Sequence, residues 1–136
     1  RHTRLRTVTG VQTCALPICT ASITGAYVAL RLAVAKLVEQ GKLAKSPLLK
    51  GVAAVSVGLV NHRALLDLNY AEDVAAQVDM NVVMTSNGEF VELQGSGEEA
   101  TFTEEQMASM IGLAKAGIRQ LFAAQEQAAS SGGTVS

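Results

Sequence analysis

Two long stretches of the chain carry apolar residues at intervals of three and four, the spacing of a helix that buries one face. The first covers residues 22–40 and is followed by Gly41, a residue suited to ending a helix. The second covers residues 104–129, and Thr103 with Gln106 fits the capping-box pattern at its start. The pattern therefore predicts one helix in each half of the chain. The predicted stripes are Ile23, Tyr27, Leu30, Val34, Leu37 and Val38 in the first helix, and Met107, Met110, Ile111, Ala114, Ile118, Leu121 and Phe122 in the second.

Between these helices lie several β-prone runs. Residues 52–60 are apolar at nearly every position and rich in valine, which is typical of a central strand covered on both faces. After a short turn, the alternation over residues 64–69 predicts a strand that pairs back. Residues 80–85 and 89–94 flank Ser-Asn-Gly, the strongest short-range hairpin signal. With a helical turn within residues 73–78, the order of elements predicts an α+β domain, with a mostly antiparallel sheet of two hairpins packed by helices.

The N-terminal segment differs in character from the rest. Residues 8–18 resemble the conceptual translation of a sequencing-adapter oligonucleotide, so we interpret residues 1–19 as a non-native segment with its junction. A secretory leader would need an unbroken apolar core and a small-residue cleavage site, which polar residues and a proline disrupt here. We expect the domain to occupy residues 20–129, and the polar composition of residues 130–136 predicts a disordered tail.

Setting the first segment aside changes the charge of the chain. All twelve acidic residues follow it, whereas three of the eleven basic residues lie inside it, so the remainder has a formal charge of −4. That charge is not the overall signature of a nucleic-acid binder. Both cysteines lie in residues 1–19, so neither a disulfide nor a thiolate metal site is supported. We find no apolar run near the roughly 18 residues that span a bilayer and expect a soluble domain.

Five basic residues do cluster within residues 31–50. They could face a phosphate backbone, or they could lie on a solvated helix face and loop. The sequence leaves both interpretations open. The cluster consists of Arg31, Lys36, Lys42, Lys45 and Lys50.

The candidate chemistry lies in two carboxylates beside an apolar run. Asp73 and Asp79 are six residues apart, a spacing that puts them on no common face of a regular helix, so they converge only if the chain folds between them. If they converge, two carboxylates suit Mg²⁺, which takes its other ligands from water and substrate phosphates. The alternative is that Asp73 caps a helix and Asp79 is a charge at the end of a strand.

The run over residues 70–84, Y-A-E-D-V-A-A-Q-V-D-M-N-V-V-M, together with V-S-V-G at residues 55–58 and E-L-Q-G at residues 92–95, resembles the RNase PH family of phosphate-dependent 3′ exoribonucleases. The resemblance implies that Asp73 and Asp79 are catalytic and bind a divalent metal, Mg²⁺ or Mn²⁺. It implies inorganic phosphate as the co-substrate and nucleoside diphosphates as the products.

The same resemblance implies an RNase PH-like fold, also described as ribosomal protein S5 domain 2-like, of which this chain holds the incomplete C-terminal part. The implied partner is RNA, chiefly the 3′ ends of tRNA precursors, with a role in rRNA processing as well. The complete protein is expected to be a cytoplasmic hexamer with no membrane association.

The chain departs from the family where phosphate is bound. The family helix opens with a segment like G-G-T-R-T-A-S-I-T-G, whose Gly-Thr-Arg forms an anion site at a helix N-terminus. Residues 20–25 read T-A-S-I-T-G, but Pro17, Ile18 and Cys19 stand where Gly-Thr-Arg is expected. We infer that the junction falls inside the arginine codon, and reading the native DNA would test this. The chain alone is therefore expected to be inactive.

Two other classes of function remain open at this point. One is a noncatalytic RNA-binding or structural subunit of an exosome-like ring, which the retention of both aspartates disfavours. The other is an unrelated α+β binding module that folds alone as a monomer. His62 is best interpreted as an exposed turn residue rather than a general base.

Overall fold

The computed structural model of the protein describes residues 16–97 and 100–131. The predicted α+β fold is confirmed: four antiparallel strands form one sheet in the order β2-β1-β3-β4, with helices packed against it. The interpretation of residues 1–15 and the prediction for residues 132–136 lie outside the described residues. The elements are α1 (Leu16–Glu39), β1 (Val52–Val60), β2 (Arg63–Leu66), α2 (Tyr70–Ala75), β3 (Val78–Thr85), β4 (Phe90–Ser96) and α3 (Glu104–Ser131).

The central strand β1 has the predicted bounds and is buried along almost its whole length. It joins β2 through a two-residue turn in which Asn61 and His62 both have positive φ, 50° and 62°, as a type I′ hairpin requires. The second strand ends at Leu66, not at residue 69 as predicted, because Asp67 turns to a φ of 56°. The prediction of a turn at His62 is confirmed.

The second hairpin joins β3 to β4 at the predicted Asn-Gly sequence. Gly88 has a φ of 81°, and its N–H donates to the carbonyl oxygen of Thr85 at 2.9 Å. The strand register shifts by one residue between Val83 and Met84, so β4 begins at Phe90, one residue later than predicted. All seven residues of β4 are exposed, as befits the edge of the sheet.

One face of the sheet carries the apolar core, and we call it the α3 face because α3 covers it. Side chains from alternate positions of β1 and β3 pack there against three buried residues of α3, as the predicted stripe required. The α3 face comprises Ala53, Val55, Val57, Leu59, Val78, Met80, Val82 and Met84, and the buried α3 residues are Met110, Ala114 and Ile118. The predicted capping box is confirmed, since Gln106 N–H donates to Thr103 Oγ1 and Thr103 N–H to Gln106 Oε1.

The opposite face, which we call the polar face, presents the alternate residues of the same two strands. Its members include Ser56 and Gly58 on β1, which lie opposite Asn81 and Asp79 on β3. Because side chains alternate across a strand, these four positions belong to one face and stand in two consecutive cross-strand pairs.

Helix α1 is longer than predicted. It begins at Leu16, six residues before the predicted start, and Pro17 is tolerated because the first turn of a helix has no acceptors for its N–H groups. It ends at Glu39, where Gly41 adopts a φ of 69° as expected. Of the six predicted stripe residues, Val34 is buried while Leu30 is 50% exposed, so the stripe is largely unburied in this chain.

Helices α1 and α3 meet the start of β1 through one buried glutamine. Gln125 is 3% exposed, and its Nε2 donates to the carbonyl oxygens of Thr24 and Val52, both at 3.0 Å. Thr24 Oγ1 in turn accepts from the N–H of Ala54 at 3.0 Å. At the surface Arg31 forms a two-pronged ion pair with Glu126. These contacts fix α1 beside the sheet.

The expectation that no apolar segment approaches membrane-spanning length was wrong for α1. Residues Cys19–Glu39 form a 21-residue segment with a mean hydropathy of 1.4, enough by length and composition to cross a membrane, and 11% of the apolar window is buried. The alanines and leucines between its few charges produce this value. Such a helix is weak evidence for a span, because this one hydrogen-bonds to β1 and pairs with α3.

Candidate functional site

The short helix α2 places Asp73. Asn69 is its N-cap: Oδ1 accepts from the N–H groups of Ala71 and Glu72, both at 3.0 Å, and Glu72 Oε2 accepts from Asn69 N–H at 2.9 Å. Both hydrogen bonds of a capping box are therefore present: the side chains of Asn69 and Glu72 each accept from the backbone N–H of the other residue. The alternative that Asp73 is itself the N-cap is wrong, because Asp73 lies inside the helix and its N–H donates to Asn69 O.

The segment around α2 lies over the polar face because Gly58 has no side chain. A Cβ at Gly58 would stand 2.6 Å from the carbonyl oxygen of Val78 and 2.7 Å from Leu68 Cδ1, with Ala76 Cβ at 3.7 Å. Leu68 is fully buried there. Gly58 thus allows the chain before and after α2 to pack directly on the sheet.

Asp79 enters the same region from β3. It lies between Val78 and Met80, which point to the α3 face, so its side chain belongs to the polar face. It is directly opposite Gly58, the position against which Ala76 at the end of α2 packs. The fold therefore brings the end of α2, the helix that holds Asp73, to the end of the polar face where Asp79 lies. Their spacing of six residues would put them on no common face of a helix.

The carboxyl group of Asp73 is partly withdrawn from water. Partial burial raises the pKa of its carboxyl group, because removing water penalises the ionised form. A cation held beside the carboxylate would reverse that shift. Among residues 19–97 and 100–131, no cluster of three or more His, Cys, Asp or Glu side chains could hold a metal.

Two carboxylates nevertheless fit a hard divalent ion. Mg²⁺ is commonly held by one or two carboxylates, with water and phosphate oxygens completing its shell. Asp73 and Asp79 supply oxygen donors of this kind. Carboxylates alone do not separate Mg²⁺ from Mn²⁺.

The positions expected to bind phosphate lie at a suitable place but hold other residues. Pro17, Ile18 and Cys19 occupy the first turn of α1, where helix N–H groups favour an anion. A cavity of about 410 Å³ opens beside this turn, lined by Thr20, Thr24, Asp67 and residues of β1 and α3, but by neither Asp73 nor Asp79.

Part of the basic cluster is neutralised within the domain. Arg31 pairs with Glu126 and Lys50 with Glu89. Both carboxylates have lowered pKa values, chiefly because of the hydrogen bond from the basic partner. The interpretation of the cluster as a solvated surface is favoured for these two residues.

Reasoning from the sequence missed five residues that build the site. The N-x-x-E spacing of Asn69 and Glu72 is a capping signature and could have revealed the start of α2. Gly58 inside an apolar strand could have suggested a close backbone approach. Ser56 and Asn81, polar residues within apolar runs, carried no specific signal of their arrangement.

Comparison with known proteins identifies the fold. Residues 51–117 match the model of the 3′ exoribonuclease family, domain 2. A ribonuclease PH of Corynebacterium efficiens is 59% identical over 109 residues, which cover 80% of this chain and 44% of that protein. A ribonuclease PH of Geobacillus sp. is 57% identical over 109 residues, 79% of this chain and 43% of that protein.

A solved structure agrees at the level of the fold. The crystal structure of rice (Oryza sativa) Rrp46 matches with a TM-score of 0.51 and 19% identity, covering 85% of this chain and 46% of that chain. The chain thus spans less than half the length of the relatives that it matches.

The sheet, its helices and the matched residues define a domain of the 3′ exoribonuclease class. Within that class the chain belongs to the RNase PH family, as the C-terminal portion of such a protein. The resemblance inferred from the sequence is confirmed, and the interpretation as an unrelated α+β binding module is wrong.

Proposed function

We propose that this chain is the C-terminal part of a phosphate-dependent 3′-to-5′ exoribonuclease that trims the 3′ ends of tRNA precursors and releases nucleoside diphosphates. The observation that supports the proposal is the packing of the end of α2, the helix that holds Asp73, against Gly58, which lies opposite Asp79. The ribonuclease PH relatives support the class of reaction. In the complete protein we propose a cytoplasmic hexamer that also acts in rRNA processing.

The chemistry requires inorganic phosphate to attack the last phosphodiester of an RNA chain. Two anions must approach, so developing charge on the phosphoryl oxygens has to be neutralised. A bound Mg²⁺ or Mn²⁺ would supply that neutralisation and orient the phosphoryl group.

The chain's own contribution is to hold and place the cation. Asp73 and Asp79 would hold it through their carboxylate oxygens. The capping box of Asn69 and Glu72 stabilises the start of α2, the helix that holds Asp73. Strand β3 fixes Asp79 opposite Gly58.

Binding of the attacking phosphate is the part this chain lacks. Pro17, Ile18 and Cys19 offer no cationic side chain at the first turn of α1, and bidentate arginine contacts are the usual way to grip such an oxyanion. We therefore propose that the 136-residue chain is inactive by itself.

The test restores the N-terminal part of the protein and its phosphate-binding residues. Residues 20–136 are fused to the N-terminal part of the C. efficiens ribonuclease PH, including Gly-Thr-Arg, and phosphate-dependent release of nucleoside diphosphates from an RNA 3′ end is measured. We expect activity in the fusion and none in the original chain. Asp79→Asn in the fusion should lower kcat by about 100-fold or more, comparable to the loss of a charge-stabilising group. Activity of the original chain, or an undiminished Asp79→Asn fusion, would contradict the proposal.

A second candidate is a noncatalytic RNA-binding or structural subunit of an exosome-like ring. The retention of both aspartates disfavours it. If the fusion binds RNA but degrades none, and Asp79→Asn leaves that binding unchanged, this second function is preferred.

A further inference from the structure

Two buried polar atoms on the polar face have no hydrogen-bond partner within the described residues. They are Oγ of Ser56, a residue that is fully buried, and Oδ1 of Asn81. Buried polar atoms in native proteins are nearly always satisfied by protein or by ordered water. The two atoms belong to residues that lie directly opposite each other on β1 and β3, so a single explanation can cover both.

The hydrogen bonding of the strands shows how closely the two side chains approach. The carbonyl oxygen of Ser56 accepts from Asp67 N–H at 2.8 Å, on the side of β2. In an antiparallel ladder the N–H and C=O of one residue point to the same side. The Ser56 backbone therefore points away from β3, and Ser56 with Asn81 forms a non-hydrogen-bonded pair, the type whose side chains are closest, with Cα atoms about 4.5 Å apart.

The two polar atoms lie among buried neighbours. Ala54 and Val83, which flank it on the same face, are 2% and 5% exposed. Leu68 lies over the neighbouring Gly58 and is itself fully buried. A hydroxyl and an amide oxygen that are buried on directly opposite residues, without a hydrogen-bond partner in the described part of the chain, have the chemistry that a small hydrogen-bonding molecule satisfies.

The pair is adjacent to a candidate metal ligand. Asp79 precedes Asn81 by two residues and lies on the same face, about 7 Å away along the strand. Groups that stand behind a metal-binding carboxylate fix its orientation, and their loss typically reduces metal affinity by about 10- to 100-fold.

We propose that Ser56 and Asn81 together hold one buried water molecule, and that this unit positions the carboxylate of Asp79 for binding a divalent cation. Ser56 and Asn81 are positioning residues, since neither is placed to contact the cation. The positioning role rests on the proposed function of Asp73 and Asp79. The water site itself rests on the two unpartnered atoms alone.

The first measurement concerns the water. In the full 136-residue chain, magnetisation transfer from long-lived bound water to the Asn81 side-chain amide is recorded by NMR. We expect a signal in the parent chain that Ser56→Ala abolishes and Ser56→Thr, which keeps the hydroxyl, retains. A parent chain with no such signal would overturn the water site.

The second measurement concerns the cation, with Mn²⁺ alone as the probe and its affinity followed by electron paramagnetic resonance. We expect Ser56→Ala and Asn81→Ala each to weaken Mn²⁺ binding by about 10-fold. The double variant should bind no more weakly than the weaker single variant, because each residue acts through the shared water.

A matched control separates positioning from general destabilisation. Val83→Ala removes a buried side chain from the same strand and the same face, two residues beyond Asn81. We expect it to lower stability and to leave Mn²⁺ affinity within twofold of the parent. Equal losses in Val83→Ala and Asn81→Ala would overturn the positioning role.

The outcomes distinguish this inference from the proposed function. If Asp79→Asn abolishes Mn²⁺ binding while Ser56→Ala and Asn81→Ala leave it unchanged, the positioning role is wrong and the metal site stands. If the parent binds Mn²⁺ no better than the chain carrying both Asp73→Asn and Asp79→Asn, the metal site is wrong and the positioning role falls with it.

Discussion

The two faces of the sheet are built from the same strands but differ in the kind of side chain that they carry. The α3 face is filled with aliphatic side chains and methionines that α3 covers. The polar face alternates with it residue by residue, yet carries a serine, a glycine, an asparagine and an aspartate. One face can therefore be optimised for packing while the other accepts buried polar atoms, which would destabilise a uniform core.

The largest effect is expected on the α3 face. Met110 is fully buried in the core, and Met110→Ala should lower the free energy of unfolding by about 3 kcal/mol through lost burial and a cavity. Urea denaturation measures the change. Met110→Leu, which roughly conserves volume, is the control and should cost less than about 1.5 kcal/mol. Equal losses in both variants would show that this face is not a well-packed core.

A smaller loss of stability is expected on the polar face, where the substitution adds an atom instead of removing one. Gly58→Ala places a Cβ 2.6 Å from a backbone carbonyl oxygen, and overpacking of this kind costs about 1–3 kcal/mol. Gly112→Ala is the matched control, because nothing lies within 4 Å of that Cβ and α3 should gain about 0.5–1 kcal/mol. A neutral Gly58→Ala would contradict the close contacts of the Val78 carbonyl oxygen and Leu68 with Gly58.

The loss of the N-cap of α2 is expected to destabilise α2 but not the sheet. Asn69→Ala removes the acceptor for two N–H groups and should weaken α2 by about 1 kcal/mol. Amide hydrogen exchange of residues 71–75 should speed up while exchange in β1 is little changed. Asn69→Ser, which keeps a capping oxygen, should restore most of the protection. Uniform acceleration across the sheet would show that α2 and the core unfold together.

The smallest change in stability is expected from the surface ion pair between α1 and α3. The hydrogen bond from Arg31 lowers the pKa of Glu126, so the folded state favours the ionised carboxylate. This stabilisation is present above the ordinary glutamate pKa of about 4.3 and is lost as the pH falls through the lowered value. The thermal midpoint of Arg31→Gln should lie slightly below the parent at pH 7 and meet it at pH 2. A gap that persists at pH 2 would point to packing by the arginine stem instead.

Patterns among neighbouring residues predicted much of the α3 face, together with the hairpin and the helix cap next to it. The bounds of β1, the Asn-Gly hairpin and the Thr103–Gln106 cap depend on neighbouring residues, so the sequence carries them directly. The polar face depends on contacts between segments, such as Leu68 and Val78 against Gly58. No periodicity encodes those contacts.

Helix α1 shows a different limit of sequence reasoning. Its spacing predicted a buried stripe, yet Ile23 and Leu37 are each 37% exposed. Periodicity reports that a helix has an apolar side, but not which surface covers it. Helix α1 also starts at Leu16, before the predicted residue 22, because a proline such as Pro17 is compatible with the first turn of a helix. The roles of Asp73 and Asp79 remain predictions for experiment.

The buried amide of Gln125 has a consequence for how the chain folds as it is made. Its contact with Thr24 joins residues 101 positions apart in sequence. At about 5–20 residues per second, roughly 100 further residues take about 5–20 s to synthesise. During that interval α1 has emerged from the ribosome but has no α3 to hold it. The contact that joins α1 to α3 therefore forms only about 5–20 s after α1 is made, and until then α1 keeps only its contacts with residues made earlier, such as Ala54.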